Sequence, residues 1–329
     1  MSVIDTLVLL LIAAITYGTP LLYGTLGEIL TEKSGNLNLG VEGILFMGGA
    51  FGLGGVYYCE KLIGTPSGLV AVVIALLCAF LAGAVASLIF SFITTTLRAN
   101  QNVTGLALAI FGTGVGQFAG EMMRVRAGGY VTVSNELKAV FTGSPFPKAL
   151  QDIPYVGSLL FGNSHFFYIG VLLAVLLHLF LKKTRTGLYL RAVGENPGTA
   201  DAAGINVTRY KYLATIVGGG ISAIGGVVYI VTTAGCTWNN EGLSGVGWLA
   251  VALVIFCLWR PLSALWGSVL FGALMILYMR LQISFIPTEL YKILPYVVTI
   301  VVLILSSLRN NKEKQPPEGL GLAYFREDR

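Results

Sequence analysis

Residues 67–97 read SGLVAVVIALLCAFLAGAVASLIFSFITTTL, without a single charged side chain. A helix needs about 20 consecutive apolar residues to cross roughly 30 Å of hydrocarbon, so this run is long enough to be tilted or broken within a membrane. It is continuously apolar and lacks the alternating pattern of an outer-membrane barrel strand. The run therefore predicts a membrane helix.

The rest of the chain repeats this pattern. Only 11% of the 329 residues are charged and 55% are hydrophobic, whereas soluble chains are about 25% charged. We predict an all-α polytopic membrane protein with about eight to ten transmembrane helices. The glycine-rich run 37–58 predicts a discontinuous second helix. The other runs are 4–27, 103–122, 164–182, 211–233, 245–259, 262–280 and 289–308.

Basic residues near the ends of these runs predict the orientation, since Lys and Arg are concentrated in cytoplasmic loops. The loop 183–210 and the segment that starts at Arg309 are the most basic. We therefore predict a transmembrane domain over residues 1–311, with the loop 183–210 in the cytoplasm and the loop 123–163 outside. Residues 312–329 would form a short cytoplasmic tail.

The sequence lacks the motifs of a motor or an enzyme. It contains no phosphate loop, no dinucleotide fingerprint, no HExxH and no nucleophile elbow. The four cysteines form no CxxC pair, and no basic stretch alternates with aromatic residues. We expect no catalytic residue, no cofactor, no metal site and no nucleic-acid partner. This leaves a channel, a structural subunit or a permease that another chain drives.

The loop 183–210 contains the signals of a short helix. Asn196 is a favourable N-cap, Pro197 suits the first helical position, and Gly204 can adopt the left-handed conformation that ends a helix. A helix of about two turns is marginal in water by itself. Two interpretations stay open: an ordinary capped loop, or a coupling helix that inserts into a cytoplasmic partner.

A second segment brings polar side chains into an apolar run. Asn36, Asn38 and Glu42 lie within it, and Asn38 and Glu42 share a helix face because they are four positions apart. Polar groups at membrane depth are costly unless they meet partners or water. The segment is either a polar contact between helices or part of a binding site built on irregular backbone.

Two other patterns have a structural interpretation and an alternative. Small residues recur at a spacing of four, which favours close helix packing in lipid, while pathway lining or hinging is the alternative. Trp238, near the outer end of a run, is predicted to anchor at the membrane interface; the alternative is an external vestibule. The small residues are Gly112, Gly116, Gly120, Gly218, Ser222 and Gly226.

Several segments together resemble the permease subunits of ABC importers, in the superfamily that serves branched-chain amino acids, ribose-type sugars and nucleosides. The NLGVEG version of the second segment looks most like the nucleoside-type permeases, with simple-sugar permeases next. The segments are 19–21 (TPL), 35–43 (GNLNLGVEG), 191–197 (RAVGENP), 202–205 (AAGI), 247–253 (GWLAVAL) and 259–261 (WRP).

The resemblance implies a set of partners. A cytoplasmic ABC ATP-binding subunit would hydrolyse ATP, a second permease subunit would complete a heterodimer, and an extracellular or periplasmic solute-binding protein, often a lipoprotein, would deliver the solute. The chain would lie in the lipid bilayer of a bacterial cytoplasmic membrane. The residues implied in coupling to the ATPase are Arg191, Glu195, Asn196, Pro197, Ala202, Ala203 and Gly204.

The resemblance also implies a substrate and a mechanism, namely translocation of nucleosides by alternating access. A nucleoside needs an apolar face for its base and polar groups for its ribose hydroxyls. Asn38, Glu42, Phe46 and Asn102 are the pathway candidates. The alternatives are a simple sugar or another small polar solute in the same machine, or a stand-alone channel or ion-coupled carrier.

Overall fold

The structure is a computed structural model that describes residues 3–280, 288–308 and 315–325. Over these residues the chain is an all-α bundle, as predicted. The helices are α1 (Val3–Glu32), α2 (Val41–Ile63), α3 (Gly68–Ser91), α4 (Gln101–Arg126), α5 (Asn135–Thr142), α6 (Lys148–Gln151), α7 (Val156–Phe161), α8 (His165–Lys183), α9 (Arg185–Glu195), α10 (Pro197–Ala202), α11 (Val207–Thr232), α12 (Val246–Phe256), α13 (Pro261–Arg280) and α14 (Thr288–Leu308).

The centre of the bundle consists of α1, α2 and α11. Helix α11 packs along α1, α2 and α3, while α4 packs on α2 and α13 on α1. The outer helices present large apolar side chains on their free faces, such as Leu81, Ile110 and Phe118. Such faces suit a lipid solvent and confirm a polytopic membrane protein.

Small residues allow the central helices to approach closely. A side chain at Gly226 would lie 1.9 Å from the Leu45 carbonyl of α2, and one at Gly112 would lie 2.7 Å from the Gly43 backbone. The Ser222 hydroxyl donates to the Gly24 carbonyl of α1 at 3.0 Å. The packing interpretation of these small residues is therefore confirmed.

In the part of the chain that the structure describes, the helices that are long and apolar enough to cross a membrane are fewer than the predicted runs. Five helices in the described part of the chain are long and apolar enough to cross a membrane: α1, α3 with its continuation, α4, α8 and α11. The total of eight to ten crossings stays a prediction. The run 67–97 forms one continuous span, because α3 ends at Ser91 and a π-helical turn over Phe92–Thr96 continues it without a gap.

The prediction of one helical span over 245–259 is wrong. Helix α12 has 11 residues, which reach about 16 Å, roughly half of the hydrocarbon thickness. The run 37–58 is irregular only at its start, since residues 34–40 are non-helical and α2 then continues unbroken to Ile63. The longer interruption of helical structure is the segment between α11 and α12.

The bundle has two distinct ends. The first, called here the α10 end, contains α9, α10, residues 34–40, the start of α4 and residues 315–325. The opposite end contains the loop 127–164 and the loop 233–245, which meet in a bridge between Thr132 and Thr237. The loops 183–210 and 123–163 therefore lie at different ends, as the orientation required. The basic positions 309–314 lie outside the described residues.

Candidate functional site

Glu42 holds the first turn of the short helix α12. Its carboxylate accepts hydrogen bonds from the backbone N–H groups of Gly245 at 2.6 Å, Gly247 at 2.7 Å and Trp248 at 3.3 Å. The first N–H groups of a helix have no partner within the helix, and its N-terminus favours negative charge. Glu42 therefore caps a helix that is about 200 positions away in sequence, and both its oxygens have donors.

The loop 34–40 is a buried piece of irregular backbone next to Glu42. The Asn38 N–H donates to Glu28 Oε1 at 3.1 Å, and Asn38 Oδ1 accepts from the Gly40 N–H at 2.9 Å. Asn36 Nδ2 donates to Thr215 Oγ1 of α11 at 2.9 Å. The loop is therefore held by bonds from α1 and α11 and by one within itself.

Two polar atoms of this loop lack partners among the described residues. Asn36 Oδ1 and Asn38 Nδ2 are buried and form no hydrogen bond there. Buried polar side-chain atoms nearly always have a partner, which can be a water molecule. Each of these two buried atoms therefore has an unused hydrogen-bonding position, which a water molecule would satisfy.

A second irregular segment reaches the same depth from the opposite end. The loop 233–245 follows α11, and its Leu243 lies against Gly49 of α2 before the chain turns into α12 at Glu42. Irregular backbone at membrane depth is tolerated where protein or a water-filled cavity satisfies it. In transporters, discontinuous helices of this kind often form solute sites.

The four pathway candidates occupy different environments. The prediction that Asn38 and Glu42 share a helix face is wrong, because Asn38 lies in the non-helical loop before α2 and only Glu42 belongs to the helix; both side chains are buried. Phe46 is fully buried beside Gly116 of α4. Asn102 is exposed on the first turn of α4. Its neighbour Gln101 is 2% exposed, and its Oε1 accepts from the Leu37 N–H at 2.6 Å.

Sequence reasoning missed Gln101. Neighbouring positions on a helix point about 100° apart, so the polar pair Gln101-Asn102 does not reveal which side chain faces inward. The glycines of α4 indicate which face points inward, because Gly105 lies near Leu39 and Gly112 lies near Gly43 of α2. Gln101 is one turn before Gly105 on that face.

At the opposite end, Trp238 is buried and not an interface anchor. Its ring lies where a side chain at Gly120 would collide with it, and its Nε1 donates to Asn240 Oδ1 at 2.6 Å. Asn240 also accepts from Gln117 through its carbonyl and donates to Glu121. The loop 233–245 is thereby attached to α4, which corrects the anchor prediction.

The loop 183–210 forms two helices, although only the second was predicted. Thr184 caps α9 by accepting from the Gly187 N–H at 3.0 Å. Asn196 caps α10 by accepting from the Thr199 N–H at 2.9 Å, and Gly204 ends it with φ +82°. The Ile205 N–H then donates to the Ala200 carbonyl at 3.0 Å. The predicted caps of α10 are therefore confirmed.

Helix α10 buries one face and exposes the other. Ala200 packs with Val193 and Val207 in a small apolar cluster. The coupling candidates Ala202, Ala203 and Gly204 are exposed, as are Glu195 and Asn196, while Arg191 and Pro197 are half-buried. The exposed residues form a small, weakly polar protrusion of about two turns.

Two basic cavities flank this protrusion. One of about 630 Å³ is lined by Arg98, Arg209 and Lys211, together with Asp201. Another of about 850 Å³ is lined by cations and by Glu195. Burial lowers the pKa of the Lys33 ammonium group in this second cavity, and the neighbouring Glu195 carboxylate opposes that change. The other cations of the second cavity are Lys182, Arg191 and Arg260.

Comparison with known proteins identifies the family. The family model of branched-chain amino acid transport system permease components matches residues 10–303. The chain therefore belongs to this family of membrane permease subunits, and the multi-pass architecture agrees with it.

Three relatives cover most of the chain. It is 31% identical to the guanosine ABC transporter permease protein NupQ of Bacillus subtilis, over 92% of this chain and 93% of that one. It is 30% identical to the nucleoside ABC transporter permease protein NupC of Lactococcus lactis, over 93% and 94%. The putative glucose ABC transporter permease protein TsgC13 of Haloferax volcanii is 34% identical over 83% and 78%.

Proposed function

We propose that the chain is the permease subunit of an ATP-driven importer of nucleosides. The observation that carries this proposal is the similarity to two permeases named for guanosine and nucleosides, which extends over more than 90% of each chain. A permease subunit of this kind contains no ATPase itself. Energy would come from a cytoplasmic ATP-binding subunit, and an extracellular or periplasmic binding protein would present the solute.

The α10 end would face the cytoplasm of a bacterial cell. Lys and Arg are enriched on the cytoplasmic side of membrane proteins, and both basic cavities lie at this end. The protrusion of α10 would insert into the ATP-binding subunit, with Ala202, Ala203 and Gly204 at its tip. A second, non-identical permease chain would complete the translocation unit.

The solute pathway would pass the junction of Glu42 and α12. Two irregular segments meet there, and the first of them contains two buried atoms, Asn36 Oδ1 and Asn38 Nδ2, that have no partner in the described part of the chain. Glu42 would act in this site by fixing the N-terminus of α12, because its oxygens already accept three N–H groups. Phe46 stays a candidate that becomes accessible only if the helices move, and Asn102 stays a candidate that is already exposed at the α10 end.

Reconstituted transport tests the substrate. Vesicles that contain all subunits should accumulate labelled uridine or guanosine when ATP is present, and unlabelled nucleoside should compete. A simple sugar is the second candidate, because the putative glucose permease is 34% identical. The nucleoside assignment would be rejected in favour of the sugar if the vesicles took up glucose or ribose, took up no nucleoside, and showed no competition by unlabelled nucleosides.

Substitutions on α10 and at the end of α9 test the docking of the ATPase. Ala202→Arg or Glu195→Arg should abolish co-purification of the ATP-binding subunit and transport, because a long cation would obstruct a close-fitting contact. Ala149→Arg and Glu136→Arg are matched controls on exposed positions of the opposite end and should retain both. Full transport in both Ala202→Arg and Glu195→Arg would reject this mode of coupling.

A further inference from the structure

Residues 315–325, called here the strap, lie across the α10 end instead of extending away from it. The Gly319 N–H donates to the Gly194 carbonyl at 2.9 Å, and the Gly321 N–H donates to the Gly35 carbonyl at 3.2 Å. Two backbone bonds thus join the strap to the end of α9 and to the loop 34–40. A tail that only adds solubility would need neither of these two hydrogen bonds.

The two elements that the strap joins also touch each other. A side chain at Gly194 would lie 2.4 Å from the Lys33 carbonyl and 3.1 Å from the Gly35 nitrogen. The strap packs directly against this contact, since a side chain at Gly319 would lie 2.8 Å from the Gly194 carbonyl. It therefore clamps the junction between the coupling helices and the buried polar loop.

The first part of the strap is bound to α9 and its last part to α10. The Glu318 N–H donates to Glu195 Oε2 at 3.1 Å, and the Tyr324 hydroxyl donates to Asp201 Oδ2 at 2.9 Å. Pro317 and Gly319 are buried, and Tyr324 packs against the apolar cluster around Ala200. A displacement of α9 and α10 would therefore move the strap with them.

The middle of the strap satisfies buried polar groups of the bundle. The Leu322 carbonyl accepts from Gln101 Nε2 at 3.4 Å and from Lys211 Nζ at 3.5 Å. Gln101 is 2% exposed and Lys211 is 3% exposed. Through its other amide atom, Gln101 also holds the Leu37 N–H of the loop 34–40. Buried groups that lose a partner are costly, so α4 and α11 favour the bound strap.

We propose that the strap transmits movement of the coupling helices to the loop 34–40 and so to the solute pathway. This inference rests on the proposed function, because it assumes that an ATPase acts on α10. The strap would not be needed to bind that ATPase. It would be needed for ATP hydrolysis to produce transport.

The test compares the complete transporter with one whose permease ends at Lys314. The truncated chain should retain the ATP-binding subunit on co-purification and should still hydrolyse ATP. The number of nucleosides moved per ATP should fall about tenfold, within the 5–150-fold range that is usual for coupling between sites. An unchanged transport-to-hydrolysis ratio would overturn the proposal, and so would loss of the ATP-binding subunit from the truncated chain.

A point substitution addresses the case in which the truncated chain does not fold. Gly321 has φ +79°, so Gly321→Ala strains the strap where it bonds to Gly35. Gly128→Ala is the matched control, because Gly128 has φ +80° at the opposite end with open space around it. Only Gly321→Ala should lower the number of nucleosides transported per ATP hydrolysed. Equal numbers in the two variants would overturn the proposal.

The outcomes also separate this inference from the proposed function. If the intact chain binds no ATP-binding subunit and Ala202→Arg has no effect, the proposed function fails. If the subunit binds and Ala202→Arg releases it, but the strap variants couple normally, the strap inference alone fails.

Discussion

Helix α10 and the loop 34–40 are both bound by the strap, yet they are specified in opposite ways. The bonds that define α10 join residues three to five positions apart, such as Thr199 to Asn196 and Ile205 to Ala200. The bonds that hold the loop and Glu42 join residues that are 64, 179 and 205 positions apart.

This difference has a functional consequence. A segment with local bonds keeps its shape when the rest of the bundle moves, which suits an element that an ATPase would push. A segment whose bonds reach α1, α4, α11 and α12 must rearrange when those helices shift. The second segment is therefore the better candidate for a part that changes between outward- and inward-open states.

The largest effect is expected for Glu42→Ala. The substitution leaves the N–H groups of Gly245, Gly247 and Trp248 without their acceptor, and each buried unsatisfied donor costs about 1–3 kcal/mol. We expect a loss of about 3 kcal/mol in stability, measured as a lower midpoint of thermal denaturation in detergent.

The control for Glu42→Ala is Glu136→Ala, which removes an exposed carboxylate in the first turn of α5 and should leave the midpoint unchanged. Equal midpoints for Glu42→Ala and the unmodified protein would show that α12 does not depend on this cap.

A smaller loss is expected for Thr215→Val. The change keeps the shape of the side chain but removes the acceptor of Asn36 Nδ2, which leaves a buried donor at a cost of about 2 kcal/mol. Thermal denaturation should register this loss. Thr104→Val removes a hydroxyl that donates to the Asn100 carbonyl one turn before it and should change stability much less. A reversed order of the two variants would contradict the importance of the distant bond.

The smallest effect is expected for Asn196→Ala, and it should be local. Loss of an N-cap costs about 1 kcal/mol, so backbone amides of α10 should exchange hydrogen about fivefold faster. The denaturation midpoint should stay the same. Asn206→Ala removes the equivalent cap of α11 and should leave exchange in α10 unchanged. A drop in the midpoint as large as that of Glu42→Ala would break the comparison between the two regions.

The local part of the site followed from the sequence. Asn196, Pro197 and Gly204 are next to the backbone groups that they affect, so their residue types alone predict the start and the end of α10. Helix α9 is not predicted, although Thr184 caps it in the same way, because its basic residues and its glycines Gly187 and Gly194 are typical of a loop.

The distant part did not follow from the sequence. The sequence marks Glu42 as a costly buried carboxylate, but its partners are the first N–H groups of α12, for which the sequence predicts a complete span. Gln101 was passed over for Asn102, because one position on a helix decides whether a side chain faces the core. The strap was expected to be a plain tail, because backbone donors such as those of Gly319 and Gly321 leave no trace in residue type.

The sequence by itself determined that the protein lies in lipid, that it is helical, and where α10 is capped. These properties depend on composition and on neighbours within a few residues. The tertiary structure decided which polar groups meet: Glu42 with α12, Asn36 with α11, and the strap with both α9 and the loop 34–40. Such pairings depend on how distant helices are packed against each other. No property of an isolated segment encodes them.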